Sequence, residues 1–137
     1  MRYILLSIVW SVSTLFSAEL LWQKEINSAF SLAKKEQRVV MLMVESSHCV
    51  WCKKMKQRTL ANVEVAKRLK PYVMLKIMRK DVKAVRGLPP KIYGVPSIFF
   101  MTPNHKIVES IVGYFGVDDF LSYMDDVEKK VPLKPRS

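Results

Sequence analysis

Residues 39–44, VVMLMV, form a continuous apolar run with no polar alternation. So short a run, closed by the polar turn ESSH at 45–48, has the pattern of a strand buried on both faces of a sheet. A strand of that kind needs apolar cover above and below it, which points to an α/β layering. The chain's two cysteines follow at once, in SSHCVWCKKM: Cys49 and Cys52, with two residues between them. Both therefore stand where a buried strand hands over to whatever comes next.

What comes next reads as a helix. Val50, Met55, Leu60, Val63, Val65, Ala66 and Leu69 recur at helical spacing, with a bend or break expected near TLANVE. Upstream, Ile26, Phe30 and Ala33 mark a helix over 23–37. Downstream, YVMLKI (72–77) reads as a strand, and KDVKAVRGLPPKIYG as a helix or loop punctuated by Gly87, Pro89 and Pro90. SIFFM (97–101) and KIVESIV (106–112) are two strands joined by a turn at Pro103 and Asn104. Phe120, Leu121, Met124 and Val127 then line one face of a last helix. Strands alternating with helices and closing on a hairpin predict a central mixed β-sheet flanked by helices. With 137 residues, half of them hydrophobic, the chain suits one domain with a core of its own.

The N-terminus reads as a targeting segment. Arg2 precedes YILLSIVWSVSTLF, no charge appears before Glu19, and Ser17 and Ala18 offer a cleavage point. The expected organisation is a signal peptide or uncleaved anchor over 1–18, the domain over 19–130, and a frayed tail over 131–137. The expected location is the periplasm, either free or tethered through an uncleaved signal. The formal net charge of +11 favours acidic surfaces. No RNA-binding signature, zinc-finger spacing or basic–aromatic repeat supports nucleic acid, and none is expected as a partner.

Several readings of the cysteines fit their spacing. As a structural staple the pair is poor, because a cross-link that closes so short a loop restricts the unfolded chain little. With a methionine, His48, Cys49 and Cys52 form a soft ligand set suited to Cu(I), as in a metallochaperone. Of the eight methionines, however, Met41, Met43, Met74 and Met101 lie in apolar runs suited to core. Haem attachment needs a histidine directly after the second cysteine, and Lys53 stands there. In the redox reading, Cys49 opens a helix whose N-terminal dipole favours a thiolate, and Lys53, Lys54, Lys56 and Arg58, with His48 when protonated, add positive charge.

VVMLMVESSHCVWCKKM, TLANVEVAKRLKPYVMLKI and YGVPSIFFMTPNHKIVESIVGY together resemble the exported bacterial thioredoxin-like proteins that carry a Cys-x-x-Cys domain behind a signal peptide. The resemblance covers roughly residues 22–128. It implies the thioredoxin fold, with Cys49 as exposed nucleophile, Cys52 as buried resolving thiol, and Pro96 as a cis proline facing the disulfide. By local sequence alone a trans Pro96 is favoured, since only about 5–6% of X–Pro bonds are cis; the cysteine pair upstream reverses that preference. The resemblance also implies that Val95 offers free backbone to a bound peptide. Trp51, Val95 and Tyr93 are the expected apolar rim, with Tyr114 either bordering that face or packing beneath it.

Two departures from the family bear on redox tuning. The buried acid six residues before the first cysteine is replaced by Met43, and Glu45 shares its strand parity, either approaching the site or solvated at the strand end. The dipeptide between the cysteines is Val50-Trp51. His48, Lys53 and Glu45 are thus the expected modulators of thiol acidity. The functional expectation is a thiol–disulfide oxidoreductase, working on exported protein substrates in the reducing direction, without a small cofactor and with a membrane-bound electron donor or acceptor. A non-catalytic binding module on the same fold is the other alternative to copper carriage.

Overall fold

The computed structural model describes residues 20–88 and 91–133. The targeting segment expected over 1–18, and residues 134–137 of the tail, lie outside the described residues. In chain order the elements are β1 (Trp22–Gln23), α1 (Ile26–Glu36), β2 (Val40–Glu45), α2 (Val50–Lys54) running into a π-helical turn (Met55–Thr59), α3 (Val63–Leu69), β3 (Val73–Met78), α4 (Val82–Arg86), β4 (Ser97–Met101), β5 (Ile107–Val112) and α5 (Val117–Lys130).

The five strands form one mixed sheet in the order β1-β3-β2-β4-β5. β2 is central, parallel to β3 and antiparallel to β4. Every one of its residues is buried, because its two faces feed two separate cores. Val40, Leu42 and Val44 pack with Ala29, Phe30 and Ala33 of α1 on one side. Met41 and Met43 pack on the other with Cys52, Met55, Val65, Leu69, Phe120, Met124 and Val127. The period-two geometry of a strand sends alternate side chains to opposite layers, and the unbroken apolar run lets both layers be dry.

Two sequence expectations need correction. The first helix begins at Ile26 rather than residue 23, because Trp22 and Gln23 pair in parallel with Met74 and Leu75 as a two-residue edge strand. The helix after the cysteines does break within TLANVE, as its sequence suggests, and the break has a form the spacing does not show. The helix widens into the π turn, where Leu60 N–H bonds Met55 C=O at 3.0 Å, and then restarts at α3. Asn62 makes the restart possible, its Oδ1 accepting from Glu64 and Val65 N–H at 3.0 and 3.2 Å. Finally, in the tail expected to fray, Val131 and Leu133 pack against the core beside α5.

The loop into β3 is fastened by Arg38, whose guanidinium donates to Pro71 C=O at 2.8 Å and to Tyr72 C=O at 2.6 Å. Among the described residues, no helix is long and apolar enough to cross a membrane.

Candidate active site

The sheet's central strand ends at Glu45, and a tight turn through His48 delivers Cys49 to the start of α2. His48 adopts a left-handed backbone, φ 59°, which turns the chain sharply enough for the helix to pack back on the sheet. Cys49 is the N-cap: its Sγ accepts from Cys52 N–H at 3.1 Å, taking one of the helix's free donors. Cys49 and Cys52 form a disulfide, their Cα atoms 5.2 Å apart. The two sulfurs stand in unlike surroundings. Cys52 is 2% exposed and belongs to the core cluster, whereas Cys49 is half-buried at the edge of a cleft.

That cleft is lined by Glu45, His48, Cys49, Cys52, Lys53 and Lys56. Glu45 is not solvated at the strand end. It is 7% exposed, and its Oε2 sits 2.7 Å from Lys56 Nζ. The approach lacks hydrogen-bond alignment, so the carboxylate is held by charge rather than by a directed bond. Of the cations expected to add positive charge near Cys49, Lys56 is engaged by Glu45. Lys53 lines the cleft, and His48 is exposed at its rim. Arg58 is exposed on the π turn and is not among the residues lining the cleft.

On the other flank, Trp51 stands 53% exposed, its ring centroid 5.7 Å from that of Tyr114. Lys54 Nζ lies over both rings, 4.7 Å from the Trp51 centroid and 4.8 Å from the Tyr114 centroid. Tyr114 therefore borders this face. Tyr93 is exposed with Lys91 above its ring, and no ring contact joins it to Trp51 among the described residues.

The Val95–Pro96 peptide bond is cis. Ser97, buried at the start of β4, donates from Oγ to Gly94 C=O at 2.6 Å, and Gly113 N–H donates to Pro96 C=O at 2.8 Å. The loop ahead of β4 is thus tied at both ends. Between those ties, no hydrogen bond engages the Val95 N–H or C=O among the described residues. Met41, Met43, Met74 and Met101, in apolar runs suited to core, are buried in the two cores. Among the described residues, no three His, Cys, Asp or Glu side chains gather into a cation-holding group.

The stretch that builds this sheet and its helix-capping disulfide, residues 26–128, matches a family model for the thioredoxin-like domain. The chain belongs to the thioredoxin-like domain family. Among curated proteins, it is 25% identical over 107 residues to the thiol:disulfide interchange protein DsbD of Pasteurella multocida. That match takes in 74% of this chain but only 19% of the longer relative. A thioredoxin from Thermus thermophilus superposes with a TM-score of 0.69 at 23% identity, over 79% of this chain and 86% of its own. The oxidised C-terminal domain of DsbD from Neisseria meningitidis gives 0.62 at 19%, over 72% and 89%. At those identities, the structural likenesses speak for the fold.

Within this thioredoxin-like domain, the sequence signals were uneven. The cysteine pair was plain from spacing. The Glu45–Lys56 pair was half visible, since strand parity aimed Glu45 at the site, but its partner lies across a turn. The sequence sets Tyr114 beside or beneath the Trp51 face but does not join Lys54 to the pair. Trp51 and Lys54 stand three apart on one helix face, which was a usable signal, whereas Tyr114 arrives from a distant loop.

Proposed function

We propose that this thioredoxin-like chain is an exported thiol–disulfide oxidoreductase acting on protein substrates in the reducing direction. The observation that carries the reading is the asymmetry of the disulfide, with Cys49 at the cleft edge on a helix N-terminus and Cys52 sealed in the core. In the reduced protein, Cys49 thiolate attacks a substrate disulfide, forming a mixed disulfide and releasing one substrate thiolate. Cys52 thiolate then attacks Cys49 Sγ, closing the Cys49–Cys52 disulfide and releasing the second substrate thiolate. Two electrons pass to the substrate, and a membrane-bound donor restores the dithiol. The helix terminus and Lys53 favour the attacking anion. Thiol–disulfide exchange as the reaction class draws support from the likeness to DsbD, a thiol:disulfide interchange protein, and export from Arg2 and the uncharged run to Glu19.

The test is trapping. Cys52→Ser is expected to accumulate mixed disulfides on Cys49 in cells, and Cys49→Ser to abolish exchange with a protein disulfide such as insulin. A reporter active only outside the cytosol, fused after residue 22, is expected to be active. Absence of trapped partners together with exchange surviving in both variants overturns the enzymatic reading, and a cytosolic reporter overturns export.

A further inference from the structure

The cations around Cys49 are not equivalent. Lys56 is matched by Glu45 at 2.7 Å, and Glu45 is the one acid lining the cleft among the described residues. Lys53 and Lys54 have no carboxylate partner among the described residues. Lys54 is held in a particular way. Its ammonium lies within 5 Å of both the Trp51 and Tyr114 ring centroids, close enough for cation–π attraction to each. Helical side chains lean back over the preceding turn, so this ammonium is carried toward the Cys49 end of α2, over Trp51. The rings fix its place without neutralising it. An ammonium has three donors, and aromatic faces satisfy none of them as a carboxylate does. Beside it, Val50 and Trp51 present exposed apolar surface. A positive, pre-positioned head next to an apolar patch, on the flank of the helix that Cys49 caps, is complementary to a carboxylate on a partly apolar chain.

We propose that Trp51, Lys54 and Tyr114 form a carboxylate-reading subsite that selects substrates with Asp or Glu close to the cysteine that exchanges with Cys49. The proposal rests on the oxidoreductase reading and names the substrate class it leaves open. Along α2, five residues at about 1.5 Å each separate Lys54 from Cys49 by roughly 7.5 Å, and an extended substrate advances about 3.3 Å per residue, so the acid is set two residues from the exchanging cysteine in the test.

The test uses the full reduced protein and three homodimeric peptide disulfides, identical except for Glu, Gln or Lys two positions from the cysteine. Each rate is divided by that of dithiothreitol on the same peptide, which cancels the effect of the peptide's own charge on its leaving thiol. The expected order at low salt is Glu, Gln, Lys, with roughly a tenfold span that narrows toward unity in 0.5 M NaCl, as screening of a surface charge requires. Lys54→Gln is expected to bring the Glu-to-Gln ratio to about one, and Lys54→Arg to keep it. A general effect of Lys54 on Cys49 acidity slows all three peptides together and leaves the ratio alone. Tyr114→Leu is expected to lower the ratio by freeing the ammonium. Glu and Gln peptides reacting within twofold in the unaltered protein, or a ratio unmoved by Lys54→Gln, overturns the subsite. Failure to reduce even the Gln peptide overturns the oxidoreductase reading itself.

Discussion

At Glu45, a carboxylate that is 7% exposed leans on a lysine whose side chain is 34% exposed. The two partners therefore depend on each other unequally. Removing the lysine strands a buried anion, whereas removing the acid leaves a cation that can turn to water. Lys56→Met is expected to cost about 1–3 kcal/mol, below the usual figure for a fully buried pair because Lys56 is partly solvated. Glu45→Gln is expected to cost under about 1 kcal/mol, and the double variant less than Lys56→Met alone. Urea denaturation of the oxidised proteins, read as a double-mutant cycle, checks all three. Equal costs for the two single changes overturn the picture of an anion that needs its partner. The pair also has a bearing on chemistry, since it puts a charged group in the cleft of Cys49 and Cys52 where Met43 supplies none.

Among the elements, the segment from α2 to α3 does the positioning. Cys49 caps its first helix with the more accessible of the two sulfurs, and its π turn ends at Thr59, fully buried, whose Oγ1 donates to Phe115 C=O at 2.6 Å. That bond ties the turn to the loop carrying Tyr114, so the aromatic flank of the site depends on it. Thr59→Val keeps the shape and removes the donor. It is expected to cost about 1–2 kcal/mol by leaving the Phe115 carbonyl unpaired, and Thr59→Ser is expected to recover most of the loss. Thermal denaturation measures both, and a neutral Thr59→Val denies the tie. The same segment shows what a sequence displays and what it hides. β2 and β4 were legible because dry apolar runs such as VVMLMV and SIFFM suit buried strands, and Cys49 was legible as the residue following a strand. β1 was hidden because two residues have no periodicity. The π turn was hidden because it is selected by a partner 56 residues away. The Lys54 clamp was hidden for the same reason, since Tyr114 joins it only in the folded chain.

The whole molecule is a sheet between two unlike layers, and the layer under α2, α3 and α5 holds a polar group that the fold leaves unpaired. Tyr72, 2% exposed and edge-on to Phe100 at 5.6 Å, has no hydrogen-bond partner for its hydroxyl among the described residues. Burial pushes the ionisation of this phenol well above its ordinary range; the negative charge of Glu128 pushes the same way, and the positive charge of Arg68 opposes it. The folded state therefore keeps its proton at a pH where the unfolded chain, ionising near 10, has lost it. An acid whose folded ionisation is raised contributes its full stabilisation below the unfolded value, and that contribution declines as pH rises through and beyond 10. Tyr72→Phe removes both the titration and the unpaired hydroxyl while keeping the ring. Near neutral pH it is expected to leave stability unchanged or raise it by up to about 1 kcal/mol, because no bond is lost. Above pH 10 the variant is expected to gain progressively on the unaltered protein, since only the latter pays to hold a phenol neutral. Comparing the two at each pH cancels the titration of the many lysines. A stability difference that stays flat from pH 7 to 11 shows that the Tyr72 proton is not held by the core.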